Sequence, residues 1–378
     1  MGRESSRPRG TRPRKSELPA GRILTLPPRR HATREGDHTL QSVIAIGTPL
    51  NAGTGSSPAP DCPWIQGSRP GPARGTFPES PSVAIHLMIR PVLQDDAFDT
   101  DVASARHSGP GPHVWWLGQS GYLVHLAGRS VLFDPYLSDS LTLKYAATDK
   151  PHVRMTELVV APERLTGISL VTSSHLHTDH LDAETLGPLV ASNPDIRMVC
   201  PESQRDLSRT RSGLPDAQIL GLDVPEPGAG QAGAAQSGEW DGIQFAAVPA
   251  AHESLQRDSG GHLLYLGFLV RWGGWTFYHS GDTVLYPGME DRLKGQGIDV
   301  AFLPINGRAP ERRVSGNLWG REAARLGRSI GARYVVPGHY ELFEFNTATP
   351  DEFESECHTV GQEYRVLRAG ERWTLPGH

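Results

Sequence analysis

Three imidazoles and two carboxylates fall within eight consecutive positions of this chain: His175, His177, Asp179, His180 and Asp182. Side chains of these types bind divalent cations through nitrogen and oxygen. The run Ile168 to Val171 just before them reads as a buried strand, and Ser173 and Ser174 lead into a loop at its carboxyl end, where α/β sheets carry functional groups. Along an extended segment residues i and i+2 share a side, so His175 and His177 point together, and a turn at Asp179-His180 would fold a second pair back toward them. That spacing suits two metals. Scattered surface histidines would not bunch in this way in a chain with 16 His among 378 residues.

Three later segments repeat the theme of a metal-binding type just past an apolar strand: Pro249-Ala-Ala-His252-Glu253, Tyr278-His279-Ser-Gly-Asp282-Thr283 and Val336-Pro-Gly-His339-Tyr340. Together with the first cluster they resemble the metallo-β-lactamase-fold hydrolases, whose pattern runs H-x-H-x-D-H, then a His, an Asp and a last His. The resemblance implies that His175, His177 and His252 hold one metal, that Asp179, His180 and His339 hold a second, and that Asp282 bridges them. Within that superfamily Trp116-Leu-Gly118, Phe133-Asp134-Pro135, Ser315-Gly-Asn317 and Phe345-Asn-Thr347 look like signatures of the ascorbate-6-phosphate lactonase-like branch. The chain departs from that branch by carrying a His at 252, which bears on substrate more than on chemistry.

The chemistry so implied is hydrolysis. Two divalent cations about 3.5 to 4 Å apart share a water, lower its pKa toward neutrality and polarise the bond under attack. A metal-bridging hydroxide is then the nucleophile, with Asp179 and Asp282 as the catalytic carboxylates. An N/O donor set suits Zn, Mn or Fe alike. The substrate expected is a small molecule, a lactone or related ester that could carry a phosphate. The alternatives are a phosphodiesterase or phospholipase D-like hydrolase and, in another class, a non-catalytic metal- or ligand-binding sensor.

Other polar residues have two readings each. Asp134 either fixes a ligand imidazole from behind or merely ends a strand before Pro135. His279 is a donor behind the ligands or a satisfied core histidine. Asn306, Arg308, Arg312, Arg313 and Asn317 lie between a strand end and a helix start, where they could grip an anion or form a solvated loop. Tyr340 could donate to a leaving oxygen or pack. Trp115, Trp116 and Trp319 read as core.

The elements that must position these groups are short strands from His113 onward, punctuated by Gly118, Gly121 and Gly128. A helix over Asp182 to Val190 has Asp182 as N-cap, a hairpin turns through Gly273-Gly274, a helix over Leu318 to Ile330 closes at Gly331, and Thr349-Pro350-Asp351-Glu352 reads as a capping box. Hairpins, a metal loop and a second run of strand and helix predict a four-layer αββα sandwich over 108–375. Pro225 to Gly238 reads as a surface excursion.

Residues 1–37 carry ten basic against four acidic residues, a net of +6, so the rest of a chain at -5 carries -11. An acidic body disfavours a nucleic-acid groove, which works by neutralising phosphates. The stretch 1–87 reads as a low-complexity basic tail without an apolar signal core, and Met88 is a candidate start. No run approaches the eighteen or so apolar residues of a spanning helix. Cys62, Cys200 and Cys357 are widely spaced and form no disulfide framework, which suits a reducing cytoplasm. Composition does not specify oligomeric state, and a homo-oligomer is compatible with it. A chain beginning at Met88 is expected to melt and turn over as the full chain does, because a segment burying little apolar surface adds little stability; a lower melting temperature on truncation would show the tail to be structural.

Overall fold

A computed structural model describes residues 88–109, 111–226 and 235–377. Strands buried on both faces build the body. Helix α1 (Asp95–Ala105) precedes the strands β1 (His113–Gly118), β2 (Gly121–Leu126) and β3 (Arg129–Phe133), which run up and down as hairpins. From there the chain alternates through α2 (Ser140–Tyr145), β4 (Leu170–Thr172), α3 (Ala183–Ser192), β5 (Arg197–Pro201), α4 (Arg205–Ser212) and β6 (Ile219–Leu222), with β3 to β6 paired in parallel. A second sheet holds β7 (Ser237–Trp240), β8 (Ile243–Pro249), β9 (Leu266–Trp272) and β10 (Trp275–His279), all antiparallel. Helix α5 (Met289–Leu293), β11 (Val300–Pro304), α6 (Gly320–Ile330) and β12 (Tyr334–Gly338) extend it in parallel, and α7 (Asp351–Val360) leads to β13 (Arg372–Thr374).

The strand orders are β13-β1-β2-β3-β4-β5-β6 and β12-β11-β10-β9-β8-β7. The sheets pack face to face through aromatic side chains: the Tyr122 ring stacks on Phe302 at 4.2 Å, and Phe133 lies 5.5 Å from both Phe302 and His279. Tyr122 Oη donates to the Pro337 carbonyl at 2.8 Å and Trp272 Nε1 to the Leu126 carbonyl at 3.1 Å, so polar ends of buried rings stitch one sheet to the other. With helices outside, this is the four-layer αββα sandwich that the strand pattern predicts. Double burial explains why β11 reads as an unbroken apolar run and β1, β2 and β10 as mostly apolar ones rather than alternating.

Local signals are met unevenly. Asp182 is the N-cap of α3, accepting from Thr185 N at 2.9 Å, and Gly331 closes α6 in the left-handed conformation. The Thr349 capping box does not form. Pro350 occupies the N-cap itself, and Thr349 Oγ1, one residue further out, donates to the Asp351 carboxylate at 2.7 Å instead of accepting from the helix. Helix α6 carries half of such a device, the Glu322 carboxylate accepting from Trp319 N at 3.0 Å. Helix α1, whose Phe98 packs edge-on against Trp115 at 6.3 Å, and edge strand β7 beside the Pro225 excursion were not foreseen. The 1–87 tail, Cys62 and the middle of that excursion lie outside the described residues. Cys200 and Cys357 are buried, free thiols, and no described helix is long and apolar enough to cross a membrane.

The buried Asp182 carboxylate also takes hydrogen bonds from Thr185 Oγ1 and Ser138 Oγ, each at 2.6 Å, and from Ser140 Oγ at 2.9 Å. Asp182→Ala should therefore lower unfolding free energy by about 3 kcal/mol, since it strands buried donors besides deleting the cap. Urea denaturation measures this, and a loss below about 0.5 kcal/mol would mean the network is idle.

Candidate metal centre

Every element that feeds the site ends at the same rim. The loop after β4 delivers His175, His177, Asp179 and His180; the ends of β8, β10 and β12 deliver His252, Asp282 and His339; the end of β3 delivers Asp134. A turn after His177 folds the loop back, with His180 N and Leu181 N both bonded to the His177 carbonyl. The sheets approach closely here. Gly281 has φ +62°, and a Cβ on it would lie 2.6 Å from Ser174 Cβ, so only glycine lets the β10 loop pass the β4 loop.

The seven side chains named from the sequence converge. His175 Nε2 faces His177 Nδ1 at 2.9 Å, and the rings of His175 and His177 lie 5.3 and 5.1 Å from that of His252. Asp179 Oδ2 lies 3.7 Å from Nε2 of both His180 and His339. Between these sets stands Asp282, its oxygens 3.4 Å from His180 Nε2, 3.3 Å from His339 Nε2 and 3.7 Å from His252 Nε2. Three groups of donors, His175/His177/His252, His175/His180/Asp282 and Asp179/His180/His339, each have ligand atoms close enough to share one ion. His180 Nε2 is buried without a hydrogen-bond partner although it points at two carboxylates, as a nitrogen that serves a cation would. The donor chemistry and this orphaned nitrogen fit a bound metal.

Electrostatics point the same way. Burial drives the His175 pKa well below the ordinary value, helped by its imidazole neighbours His180 and His177, so that ring is neutral and ready to ligate. For His180 burial acts in the same sense, but the Asp282 and Asp179 carboxylates and the Asp134 hydrogen bond outweigh it and raise the pKa far above the usual one. Burial alone would raise the Asp282 pKa, yet His180 and His339 hold it well below the carboxylate range. The site is thus an anionic pair of carboxylates demanding positive charge, a demand that a proton on His180 and a divalent cation would meet in competition.

Ring orientation is fixed from behind. Asp134 Oδ2 meets His180 Nδ1 at 2.8 Å and takes Ser174 N at 3.1 Å, while its other oxygen takes Thr172 Oγ1 at 2.8 Å. His252 Nδ1 donates to the Gly316 carbonyl at 2.8 Å, and Asn317 Nδ2 donates to Asp282 Oδ2 at 3.1 Å and Asn306 Oδ1 at 3.0 Å. The Ser315-Gly-Asn317 segment thereby steadies two of the seven.

Other candidates are placed elsewhere. Arg308 is locked bidentate on Glu322 at 2.6 and 2.7 Å, and Arg312 donates to the carbonyls of Asn306 and Thr347, so neither guanidinium reaches the cavity. Only Arg313 of the three lines it. Tyr340 is buried, stacked on Trp116 at 4.3 Å and donating to the Leu367 carbonyl; it packs and has no proton to offer a leaving oxygen. His279 has both nitrogens spent on backbone, on Ser120 O at 2.9 Å and Gly281 N at 3.2 Å, and is the satisfied core histidine. Gln119 was missed. Its Nε2 donates to Asp179 Oδ2 at 2.7 Å and lies 3.0 Å from His339 Nε2, and its carbonyl takes His339 N at 2.8 Å. A polar Gln-Ser pair between Gly118 and Gly121 in an otherwise apolar hairpin was the available signal.

A family model described as a beta-lactamase superfamily domain matches residues 129–340. The chain is similar to a UPF0173 metal-dependent hydrolase of Rubrobacter xylanophilus, 28% identical over 279 residues that cover 69% of this chain and 96% of that protein. It is also similar to one of Pyrobaculum aerophilum, 26% identical over 265 residues, covering 68% and 97%. In fold it is similar to the isothiocyanate hydrolase from Delia radicum gut bacteria, with TM-score 0.55 at 18% identity, covering 70% of this chain and 98% of that one.

Replacing Asp134 by Asn keeps the shape of the group behind His180 and removes its charge. Metal affinity should fall roughly ten- to a hundredfold, read by competition with a chromogenic chelator. An unchanged affinity would show that His180 needs no such partner.

Proposed function

Since the chain belongs to the beta-lactamase superfamily, and its similar relatives carry the name of metal-dependent hydrolases, we propose that it hydrolyses a small molecule, a lactone or related ester, with the help of two divalent cations. The observation that carries this reading is the position of Asp282, within 3.7 Å of imidazoles from both sets. His175, His177 and His252 would hold one ion, Asp179, His180 and His339 the other, with Asp282 between them. Bound there, the cations would supply an activated water at neutral pH and polarise the bond it attacks.

The chain's own groups do the rest. Asp179, partly exposed at the cavity floor, has burial opposed by His180 and His339, which hold it below the usual carboxylate pKa. It is an anion at neutral pH, placed to orient the water and accept its proton. Gln119 fixes that carboxylate through its amide. Asp134 and the Gly316 carbonyl hold two imidazoles in one tautomer and one orientation. A cavity of about 390 Å³ above them is of a size to admit a small molecule. Arg308 and Arg312 are engaged elsewhere, which leaves Arg313 alone of the three to meet an anion in the cavity; we take this as favouring attack at carbon over the phosphodiesterase reading.

Purified protein should hold about two divalent ions per chain, and His177→Ala or Asp282→Ala should drop metal content and turnover together by orders of magnitude. Asp179→Asn should keep at least one ion yet lose roughly a hundred- to ten-thousandfold in kcat. Metal analysis beside a panel of lactones, carboxylic esters and phosphodiesters decides: full activity after chelation overturns the metal role, and activity confined to phosphodiesters overturns the substrate class.

A further inference from the structure

The cavity above the seven side chains has a wall that the hydrolytic reading does not use. His152 stacks on Tyr145 at 4.2 Å, with an interplanar angle of 18°, and meets Phe345 edge-on at 4.5 Å and Phe343 at 5.2 Å. All four rings line the cavity, three of them only partly buried. Burial lowers the His152 pKa, so at neutral pH the ring is uncharged and behaves as one more flat face. These rings come from two segments distant in the chain, α2 with the loop that follows it and the loop after β12.

Positive charge is gathered over the same wall. The sequence has only four lysines, at 15, 144, 150 and 294, and two of them stand here. Lys144 Nζ lies 5.0 Å above the Tyr145 ring and Lys150 Nζ 4.6 Å above Phe345. Lys150 Nζ is shielded from solvent and has no hydrogen-bond partner. Arg313 lines the mouth in a left-handed backbone conformation, its guanidinium 2.8 Å from an Asp149 carboxylate. Both members of that pair are more than half exposed, so it is worth little and can exchange for another anion. Arg211, by contrast, is spent on the Leu176 and Leu181 carbonyls. A body with net charge of about -11 outside its first 37 residues has no general reason to collect cations at one cavity mouth.

We infer that the substrate of this site is an ester or lactone in which a flat ring carries an anionic group, the ring lying against Tyr145, His152 and Phe345 and the anion meeting Arg313 and Lys144 at the mouth. The inference rests on the hydrolytic reading of the same cavity and adds the substrate's chemical class to it. Packing against aromatic side chains favours planar groups, and the side-chain cations beside them favour an anionic one. The anion is met by side-chain cations of the cavity lining, which distinguishes this arrangement from simple ligation of an acid by the metals.

Equilibrium binding tests it without turnover. The full-length protein as purified, its metal content measured, is titrated with 2-naphthoate, with neutral 2-naphthamide and with non-aromatic cyclohexanecarboxylate. Naphthoate should bind tightest, and its affinity should fall as salt is raised. Arg313→Gln and Lys144→Gln should each weaken naphthoate roughly three- to tenfold while leaving naphthamide unchanged. Phe345→Leu should weaken naphthoate and naphthamide alike and spare cyclohexanecarboxylate. Metal content and melting temperature, measured on each variant, report any loss of fold. Equal affinities for the two carboxylates, or naphthoate binding indifferent to all three substitutions, would mean that the metals alone hold the acid; equal affinities for all three probes would mean that neither ring nor charge is read; each result would overturn the inference. Loss of that discrimination with lactone hydrolysis intact would overturn the inference and leave the hydrolase reading standing; discrimination without hydrolysis of any ester would overturn the hydrolase reading and, with it, the assignment of the ligand as a substrate.

Discussion

A buried carboxylate facing three imidazoles is the constraint on which this structure turns. Asp282 is almost fully enclosed, and a charge taken out of water is stable only if positive charge or hydrogen bonds meet it at short range. The fold answers from every side: His180 from the β4 loop, His252 after β8, His339 after β12, and the Asn317 amide from the segment before α6. The rest of the architecture brings those four there. Parallel strands put several carboxyl ends on one rim, and the glycine at 281 removes the Cβ that would hold the sheets apart.

Backbone conformation around the centre follows from the same demand. Gln119, Asp134 and His339 all have positive φ, unusual for residues with a Cβ. Each is pinned by bonds that would be lost in a relaxed turn: Gln119 by the His339 amide on its carbonyl, Asp134 by Thr172 and Ser174, His339 by that same amide. Strain of this kind persists where surrounding structure over-determines it, as it does here at the seam between the sheets.

The sequence makes the centre legible because metal-binding types are scarce and their spacing is read along one strand end at a time. Each of the four segments announces itself by an apolar run followed by His or Asp, while the grouping of the seven into one centre came from the resemblance to the metallo-β-lactamase-fold pattern, which needs no knowledge of how the strands order. Substrate-facing residues lack such a signal. Arg308 looked free because its partner, Glu322, sits on the first turn of a helix fourteen residues on. Tyr340 beside His339 could be read either as a donor or as packing, and its ring direction is set by Trp116 in the other sheet. Tyr145 and Phe345 meet around His152 from distant segments, a proximity that no periodicity encodes. Helix boundaries failed more locally, as at Thr349, where a proline moved the cap by one residue.

The division of the seven between the sheets bears on how the molecule assembles. His175, His177, Asp179 and His180 follow a strand of one sheet, while His252, Asp282 and His339 follow strands of the other. No sheet folding alone contains a complete pair of donor sets, and the chain between His175 and His339 must be largely in place before the last imidazole arrives. A cation captured there would bind only where both sheets are in place, so its binding free energy would add to the stability of the folded chain and tie one sheet to the other.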